Sequence, residues 1–209
     1  KRLGQEQARS VLADMHRINE GLLWRYASQF VFSYLHMKLF PRLPTAEDER
    51  VSSCISKLAW LQPRHLGVPE DHIGTPQFDT AMTMLRQIHA QGSPGDMLRS
   101  LLEGFQLAIG AARVRAFLCG KGDFGADSTV PLAILLLVRA NPPKLRSVLR
   151  YVELFATRAQ LLSAEGYVLT QATGALSFLE SLAAKDLQGL EPGEWERRMD
   201  LPKPVQRET

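Results

Sequence analysis

The sequence is poor in cysteine, and its histidines form no metal-binding pattern. Only two of the 209 residues are cysteines, Cys54 and Cys119, each within an apolar stretch. Two cysteines cannot build the disulfide framework of a small secreted domain, so we expect buried thiols in a reducing, cytosolic compartment. None of the five histidines belongs to an HExxH pattern or pairs with a cysteine at metal-finger spacing. We therefore expect no metal site, and histidines that are exposed or half-buried.

The chain also lacks a long apolar run and a strong charge of one sign. The nine-residue run 130–138 is far shorter than the roughly 20 residues that span a bilayer, so we expect a buried helix and no transmembrane segment. No charged-then-apolar leader is visible at the start. The net charge of +3 is modest, and basic residues are not interleaved with aromatic ones. This pattern does not indicate a nucleic-acid partner.

Signatures of covalent catalysis are absent as well. There is no GxSxG elbow and no catalytic-cysteine motif. The glycine-rich GKGDFG at 120–125 lacks the GxxxxGK[ST] pattern of a phosphate-binding loop, and no predicted strand precedes it. The residues alone therefore indicate an interaction module rather than an enzyme with its own active site.

What the sequence does contain is helical periodicity along most of its length. One apolar stripe runs from Val11 to Tyr34 at helical spacing, and FPRLPT at 40–45 ends it. SPGD at 93–96 predicts a helix start with Ser93 as the N-cap, and ANPP at 140–143 predicts a helix end. No stretch alternates as a strand would. We expect an all-α fold of about eight to ten helices, with a short non-helical EGYVLTQ stretch and a tail that frays from Glu191.

Two segments in the second half carry a family resemblance. They are GADSTVPLAILLLVRANPPKLRSVLRYVELF at 125–155 and EGYVLTQATGALSFLESL at 165–182. In order and spacing they resemble the catalytic half of the vacuolar-protein-sorting-nine (Vps-nine) domain, and two earlier stretches resemble its preceding helices. The resemblance implies a layered, all-helical exchange domain at 40–190. It also implies an N-terminal supporting helix or helical bundle at 1–39, with a charged, proline-containing tail at 191–209.

Members of that family are guanine nucleotide exchange factors for Rab GTPases of the Rab-five subfamily. The resemblance therefore implies a factor that promotes GDP release in endocytic and endosomal traffic and performs no covalent chemistry. It implies no cofactor, because the factor acts on the Mg-GDP site of its partner GTPase. It implies a cytoplasmic protein that can be peripheral on early endosomes, with membrane recruitment through other domains or partners. The alternative is a non-catalytic Rab-binding or scaffold module with the same fold.

The family motif implies roles for four residues. Asp127 corresponds to the acidic finger that disturbs the magnesium ion and the phosphate-binding lysine of the GTPase, and Tyr167 corresponds to a contact with the switch regions. Pro131 and Thr170 correspond to further Rab contacts. The residue types leave structural alternatives open: an N-cap for Asp127, a first-turn proline, a loop tyrosine and a helix-capping threonine. The chain departs from the family at Ser128, where a second acid is common, and in GYVLTQ, which replaces GYYFTN.

Overall fold

A computed structural model describes residues 2–43, 45–70, 73–120 and 124–199. Every regular element in these ranges is helical, which confirms the predicted all-α class, and the nine α-helices fall within the expected number. The chain divides into two units, Lys1–Arg42 and Leu43–Thr209. The division into 1–39, 40–190 and 191–209 stays a prediction.

The α-helices range in length from four to 38 residues. Their bounds are α1 (Arg2–Leu39), α2 (Thr45–Lys57), α3 (Pro76–Arg86), α4 (Pro94–Leu118), α5 (Ala126–Ala140), α6 (Leu145–Phe155), α7 (Arg158–Leu161), α8 (Ala164–Ser181) and α9 (Glu194–Met199). Single 3-10 turns cover Phe40–Arg42, Pro63–Leu66, Ile88–Ala90 and Ala184–Asp186.

The first unit consists of α1 and the 3-10 turn that follows it. The helix ends at Leu39, directly before the predicted FPRLPT break. Its apolar stripe is exposed, with 41–79% of each side chain accessible at Val11, Met15, Ile18, Leu22, Tyr26, Phe30 and Tyr34. This unit alone therefore leaves a helical apolar face uncovered.

The core of the second unit forms around α5, which packs against α2, α3, α4 and α8. The side chains of residues 132–138 are buried. Val130, however, is 46% exposed and Pro131 is half-buried, so the expectation that the whole run 130–138 is buried is wrong at its start. The helix α5 therefore reaches the surface at Val130 and Pro131, although Thr129 before them is buried.

The far end of α5 is held by polar contacts that explain the ANPP sequence. Asn141 adopts the left-handed conformation at φ 40°, and its N–H donates to the carbonyl of Leu137 at 2.8 Å. Its side-chain amide donates to Ser56 Oγ at 3.0 Å. Arg139 donates to the carbonyl of Leu61 at 2.9 Å. The helix therefore ends where the sequence predicts and is hydrogen-bonded to α2 and the segment after it.

The start of α6 receives its cap from another helix. The residue before it, Lys144, has φ 54° and supplies no capping side chain. Asp48 of α2 takes that role: its two carboxylate oxygens accept from the backbone N–H of Ser147 at 2.9 Å and from the Ser147 hydroxyl at 2.6 Å. Because a buried carboxylate needs such donors, this pair connects α2 to α6.

The cysteines are not both buried, contrary to expectation. Cys54 of α2 is half-buried with a free thiol, and burial, followed by the negative charge of Glu180, raises the pKa of that thiol. Cys119 is exposed, because it follows the last residue of α4, where the chain turns at Gly120. Both thiols are free.

The tail is more ordered than predicted. Residues 194–199 form α9, and the ring of Trp195 meets that of Trp60 edge-on at 6.2 Å. The guanidinium of Arg198 lies 5.7 Å from the Trp60 ring centroid. These contacts explain why fraying from Glu191 is wrong for this stretch. Residues 200–209 lie outside the described ranges.

No helix in the described ranges combines the length and the apolar character that crossing a membrane requires.

Candidate functional site

A surface groove of about 280 Å³ lies between α5 and α8. Its walls include Val130, Pro131 and Ile134 from α5 and Gly174, Ala175 and Phe178 from α8. Most of these side chains are apolar. We call this feature the α5–α8 groove, and it is the place where the predicted site residues can be compared.

Asp127 lies at the end of the α5 wall of this groove. Asp127, Pro131 and Ile134 occupy positions i, i+4 and i+7, so they share one helix face. The Asp127 side chain is exposed. Within the part of the chain that the structure describes, its carboxylate has no hydrogen-bond or ion-pair partner. The acid can therefore meet a partner without first breaking an internal contact.

Asp127 does not cap its helix. The N-cap position belongs to Gly125, which provides no side-chain hydrogen bond, and Asp127 is the second residue of α5. The N-cap alternative is therefore wrong. A carboxylate in the first turn still interacts favourably with the helix dipole.

Pro131 lies inside α5 rather than in its first turn. A proline has no N–H to donate to the carbonyl four residues earlier, and here that carbonyl belongs to Asp127. The first turn of α5 is thus less strongly bound to the second turn than in an uninterrupted helix. The alternative that Pro131 is an ordinary first-turn proline is therefore wrong.

Tyr167 and Thr170 lie within α8, on the face that continues into the groove. Thr170, Gly174 and Phe178 are spaced four residues apart, and Tyr167 precedes Gly174 by seven. The Tyr167 side chain is 61% exposed, and its hydroxyl accepts from Gln171 Nε2 at 3.0 Å. The loop-tyrosine alternative is wrong, because the ring projects from a helix.

Thr170 is not a helix cap either. Ser163 occupies the N-cap position of α8, and its hydroxyl accepts from the backbone N–H of Glu165 at 3.1 Å. The Thr170 hydroxyl donates within the helix to the carbonyl of Gly166 at 2.9 Å. The predicted non-helical EGYVLTQ stretch is therefore the first part of α8.

Gly166 explains why this stretch has the composition of a loop but folds as a helix. Gly166 is buried, and the backbone of Leu161 at the end of α7 lies close to it. A Cβ added there would lie 2.7 Å from Leu161 Cα and nearer still to the Leu161 carbonyl oxygen. Only glycine permits this approach, and the approach sets where Tyr167 emerges from the helix.

The sequence reading missed one residue of the groove. His65 lines it and is only 1% exposed, so the expectation of a surface or half-buried histidine is wrong here. Its Nδ1 accepts from the backbone N–H of Gln62 at 3.0 Å, and its carbonyl accepts from Gln188 N–H at 2.9 Å. The only local feature of the sequence that could have indicated its burial is its position in the 3-10 turn that begins at Pro63.

Burial lowers the pKa of His65 from its ordinary value of 6.5. The charge of Arg64 acts in the same direction, Glu194 opposes it, and Arg198 lowers the pKa further. The ring is therefore neutral at neutral pH. In its neutral form it can keep the hydrogen bond from Gln62, which a protonated ring would lose.

We expect the free energy of unfolding to fall as the pH drops through the unfolded pKa of His65, about 6.5, toward its lower folded pKa. The folded pKa of His65 lies below the unfolded value, so its contribution is complete above the unfolded pKa and is lost as the pH falls toward the folded one. The slope for this group cannot exceed about 1.4 kcal/mol per pH unit. Urea unfolding of wild type and His65→Asn at several pH values measures how much His65 contributes to the pH dependence of the free energy of unfolding. Parallel pH profiles for the two proteins would contradict it.

Metal-ligand geometry is absent from the described ranges, in which no three His, Cys, Asp or Glu side chains are placed to hold an ion. Of the glycine-rich stretch 120–125, residues Lys121, Gly122 and Asp123 lie outside those ranges.

Comparison with known proteins identifies the domain. A family model described as the Vacuolar sorting protein 9 (VPS9) domain matches residues 78–184, just over half of the 209-residue chain. The matched segment includes Asp127, Pro131, Tyr167 and Thr170, whereas His65 precedes it. This is the family that the motifs of α5 to α8 resemble.

Several curated proteins are similar to this chain over part of their own length. The chain is 25% identical over 182 residues to Vacuolar protein sorting-associated protein 9A of Oryza sativa subsp. japonica, covering 84% of this chain and 38% of that protein. It is 26% identical over 151 residues to the Rab5 GDP/GTP exchange factor of Homo sapiens, covering 68% and 30%. It is 27% identical over 131 residues to GTPase-activating protein and VPS9 domain-containing protein 1 of Xenopus laevis, covering 61% and 8%. The chain thus spans well under half the length of these relatives.

Proposed function

Because the chain belongs to the VPS9 domain family, we propose that it is a guanine nucleotide exchange factor for Rab GTPases of the Rab-five subfamily. It promotes GDP release in endocytic and endosomal traffic and works in the cytoplasm, or peripherally on early endosomes when recruited by other domains or partners. The observation that carries this proposal is the exposed, unpartnered carboxylate of Asp127 on the groove-lining face of α5. The name of the human relative, an exchange factor for Rab5, supports the choice of partner.

The carboxylate acts through charge. A GTPase holds GDP tightly because magnesium and a lysine neutralise the phosphates at close range. When Asp127 enters that site, it competes for the lysine and repels the phosphates, so the nucleotide leaves without any bond being broken. The first turn of α5 holds the acid on a helix, which limits the entropy lost on docking.

The α5–α8 groove receives the switch regions of the GTPase. Val130 and Tyr167 expose apolar surface, and the half-buried Phe178 lines the groove. Burying this surface drives association, while Asp127 at the end of the α5 wall reaches the nucleotide. Pro131 lies on the groove-lining face of α5, and Thr170 lies on the groove-lining face of α8. Both contact the partner through their side-chain carbon atoms.

We expect Tyr167→Ala to weaken binding to nucleotide-free Rab by about tenfold or more, because a large exposed aromatic at an interface centre can carry a few kcal/mol. The measurement is the Kd by calorimetry, with helix content followed by circular dichroism. Tyr167→Phe removes only the hydroxyl and its bond to Gln171, and we expect it to bind nearly as wild type.

Phe117→Ala is the matched surface control for this prediction. Phe117 is an aromatic residue, 84% exposed, near the end of α4, and it does not line the groove. We expect no change in Kd for this variant. Equal affinities for Tyr167→Ala and Phe117→Ala would show that the groove face of α8 is not the docking surface.

Release of fluorescent GDP from purified Rab-five-subfamily members tests the function itself. Faster release than the spontaneous rate from at least one member is the expected result. Tight binding to nucleotide-free Rab without faster release would instead support a scaffold module with the same fold.

A further inference from the structure

The α7–α8 turn, residues 161–163, presents an apolar side chain beside the proposed contact tyrosine. Leu162 directly follows α7 and is 79% exposed. It precedes Ser163, the N-cap of α8, and Tyr167 is the fourth residue of that helix. The residue before an N-cap often packs against the fourth helical residue, and the pair is called a hydrophobic staple. Leu162 and Tyr167 therefore occupy the two staple positions at the start of α8.

The two staple residues leave each other uncovered. Tyr167 is 61% exposed, so neither side chain is buried against the other. Gln171 lies one turn further along α8, and its Nε2 donates to the Tyr167 hydroxyl at 3.0 Å. This bond directs the hydroxyl end of the ring toward the later turns of α8 and away from Leu162. The staple positions thus hold two apolar side chains that stay accessible to solvent.

The backbone that carries Leu162 is held by hydrogen bonds on both sides. The Leu162 N–H donates to the carbonyl of Arg158 at 3.1 Å, within α7 and its last turn. The Ser163 hydroxyl donates to the carbonyl of Gln160 at 2.7 Å and accepts from Glu165 N–H at 3.1 Å. One side chain thus joins the end of α7 to the start of α8, and the leucine stands on a fixed turn.

Gly166 sets the distance between this turn and α8. It is buried, and a Cβ added there would lie 2.7 Å from Leu161 Cα. Backbone packing therefore brings Leu162 close to Tyr167 without help from the leucine side chain. A single exposed leucine is common on protein surfaces. This one, however, stands beside a residue of the proposed docking surface, and while exposed it adds little hydrophobic stabilisation to the free domain.

We propose that an apolar side chain from the switch regions of the GTPase inserts between Leu162 and Tyr167. The contact rests on the proposed function and extends its docking surface from the α5–α8 groove onto the α7–α8 turn. Insertion removes apolar surface of both residues from water, so a side chain of the partner completes the open staple. Because the turn is already fixed, little conformational entropy is lost on binding.

The contact selects among GTPases by their chemistry at one position. An aliphatic or aromatic side chain gains from burial between the two apolar surfaces. A charged side chain would lose its water there without gaining a hydrogen-bond partner from either Leu162 or the Tyr167 ring, so a GTPase that carries one binds less tightly. Leu162 therefore acts on affinity and partner choice, whereas Asp127 acts on nucleotide release.

Replacing Leu162 with alanine tests the contact. We expect Leu162→Ala to raise the Kd for the nucleotide-free preferred Rab about tenfold, which corresponds to about 1.4 kcal/mol. Leu162→Met keeps a long apolar side chain, and we expect its Kd to stay within about threefold of wild type. Calorimetry measures both values. Since Leu162 is exposed, the urea midpoint of each variant should stay close to that of wild type.

Leu118→Ala is the matched control. Leu118 is a leucine that is 71% exposed, and it does not line the α5–α8 groove. The α7–α8 region adjoins the start of α4, where Gln160 Nε2 lies 3.9 Å from the Cβ position at Gly95. Leu118 is the last residue of that helix, about 35 Å further along its axis. We expect an unchanged Kd. Equal Kd values for Leu162→Ala and Leu118→Ala would overturn the proposed contact.

A double-mutant cycle distinguishes one shared insertion from two separate contacts. If one partner side chain lies between Leu162 and Tyr167, losing either residue already opens the space that it fills. The double variant Leu162→Ala/Tyr167→Ala should then raise the Kd by less than the product of the two single fold-changes. A fold-change equal to that product would show that the two residues act independently, which would overturn the insertion.

Release kinetics separate this contact from the exchange step. At a saturating concentration of Leu162→Ala, GDP release should be as fast as with wild type, while the concentration for half-maximal release rises with the Kd. A lower saturating rate would overturn the role of Leu162 as an affinity contact. If wild type activates a Rab and Leu162→Ala binds it equally well, only this contact fails. If wild type neither binds nor activates any Rab, the proposed function itself fails.

Discussion

Replacing Asp127 with asparagine is expected to slow GDP release by about 100-fold, or about 2.7 kcal/mol of transition-state stabilisation. Asparagine keeps the size and shape of the side chain but removes its charge. Competition for the GTPase lysine and repulsion of the phosphates both need that charge. Stopped-flow release of fluorescent GDP from the preferred Rab, at saturating exchange factor, measures the effect.

The same substitution should leave the domain folded. Asp127 does not cap α5, and within the described ranges its carboxylate has no partner to lose. Only its interaction with the helix dipole disappears, so the free energy of unfolding should change by about 0.3–1 kcal/mol. The binding affinity for nucleotide-free Rab should change far less than the release rate.

Asp79→Asn is the matched control. Asp79 is an exposed acid in the first turn of α3, so its substitution removes the same charge and the same kind of dipole interaction. It does not line the groove. We expect a release rate equal to that of wild type. If Asp127→Asn also releases GDP at the wild-type rate, the carboxylate is not the exchange element, whatever the family resemblance implies.

The sequence could predict the helix limits that depend on local chemistry. Ser93 caps α4 as expected, with its hydroxyl accepting from Asp96 N–H at 3.1 Å. The end of α5 at Ala140 follows from the prolines after Asn141. These signals work because the cap and the residues that it serves lie within one turn of each other.

The environments of the site residues depend on longer-range contacts, so the local sequence predicts them less accurately. Aspartate before an apolar run suggests an N-cap. In the structure, however, Gly125 is the N-cap and Asp127 is the second residue of α5. The burial of His65 depends on groups far away in the sequence, including Gln188, whose N–H donates to its carbonyl. No periodicity in residues 60–70 could indicate that contact.

Gly166 shows the same difficulty in the opposite direction. A glycine beside a tyrosine, after LLSAE, suggests a loop by composition. In the structure the glycine is there so that α8 can pass close to the backbone of Leu161. The residue that suggests a break is thus the one that allows the helix to begin early enough to include Tyr167 and Thr170.

Gly166→Ala should therefore be strongly destabilising, although alanine is the better helix former. The new methyl group would lie 2.7 Å from Leu161 Cα and nearer still to its carbonyl oxygen, so the α7–α8 turn must move. We expect a loss of about 3 kcal/mol in the free energy of unfolding, at the upper part of the range for overpacking. Because Tyr167 is the next residue, binding to nucleotide-free Rab should weaken as well.

Gly174→Ala provides the control within the same helix. Gly174 is exposed in the middle of α8, and a Cβ there would meet no atom within 4 Å. Helix propensity alone should then act and stabilise the domain by up to about 1 kcal/mol. Urea unfolding of the two variants should thus give shifts of opposite sign. If Gly166→Ala is also neutral or stabilising, the α7–α8 turn does not approach α8 as closely as described, and the position of Tyr167 is not set by this glycine.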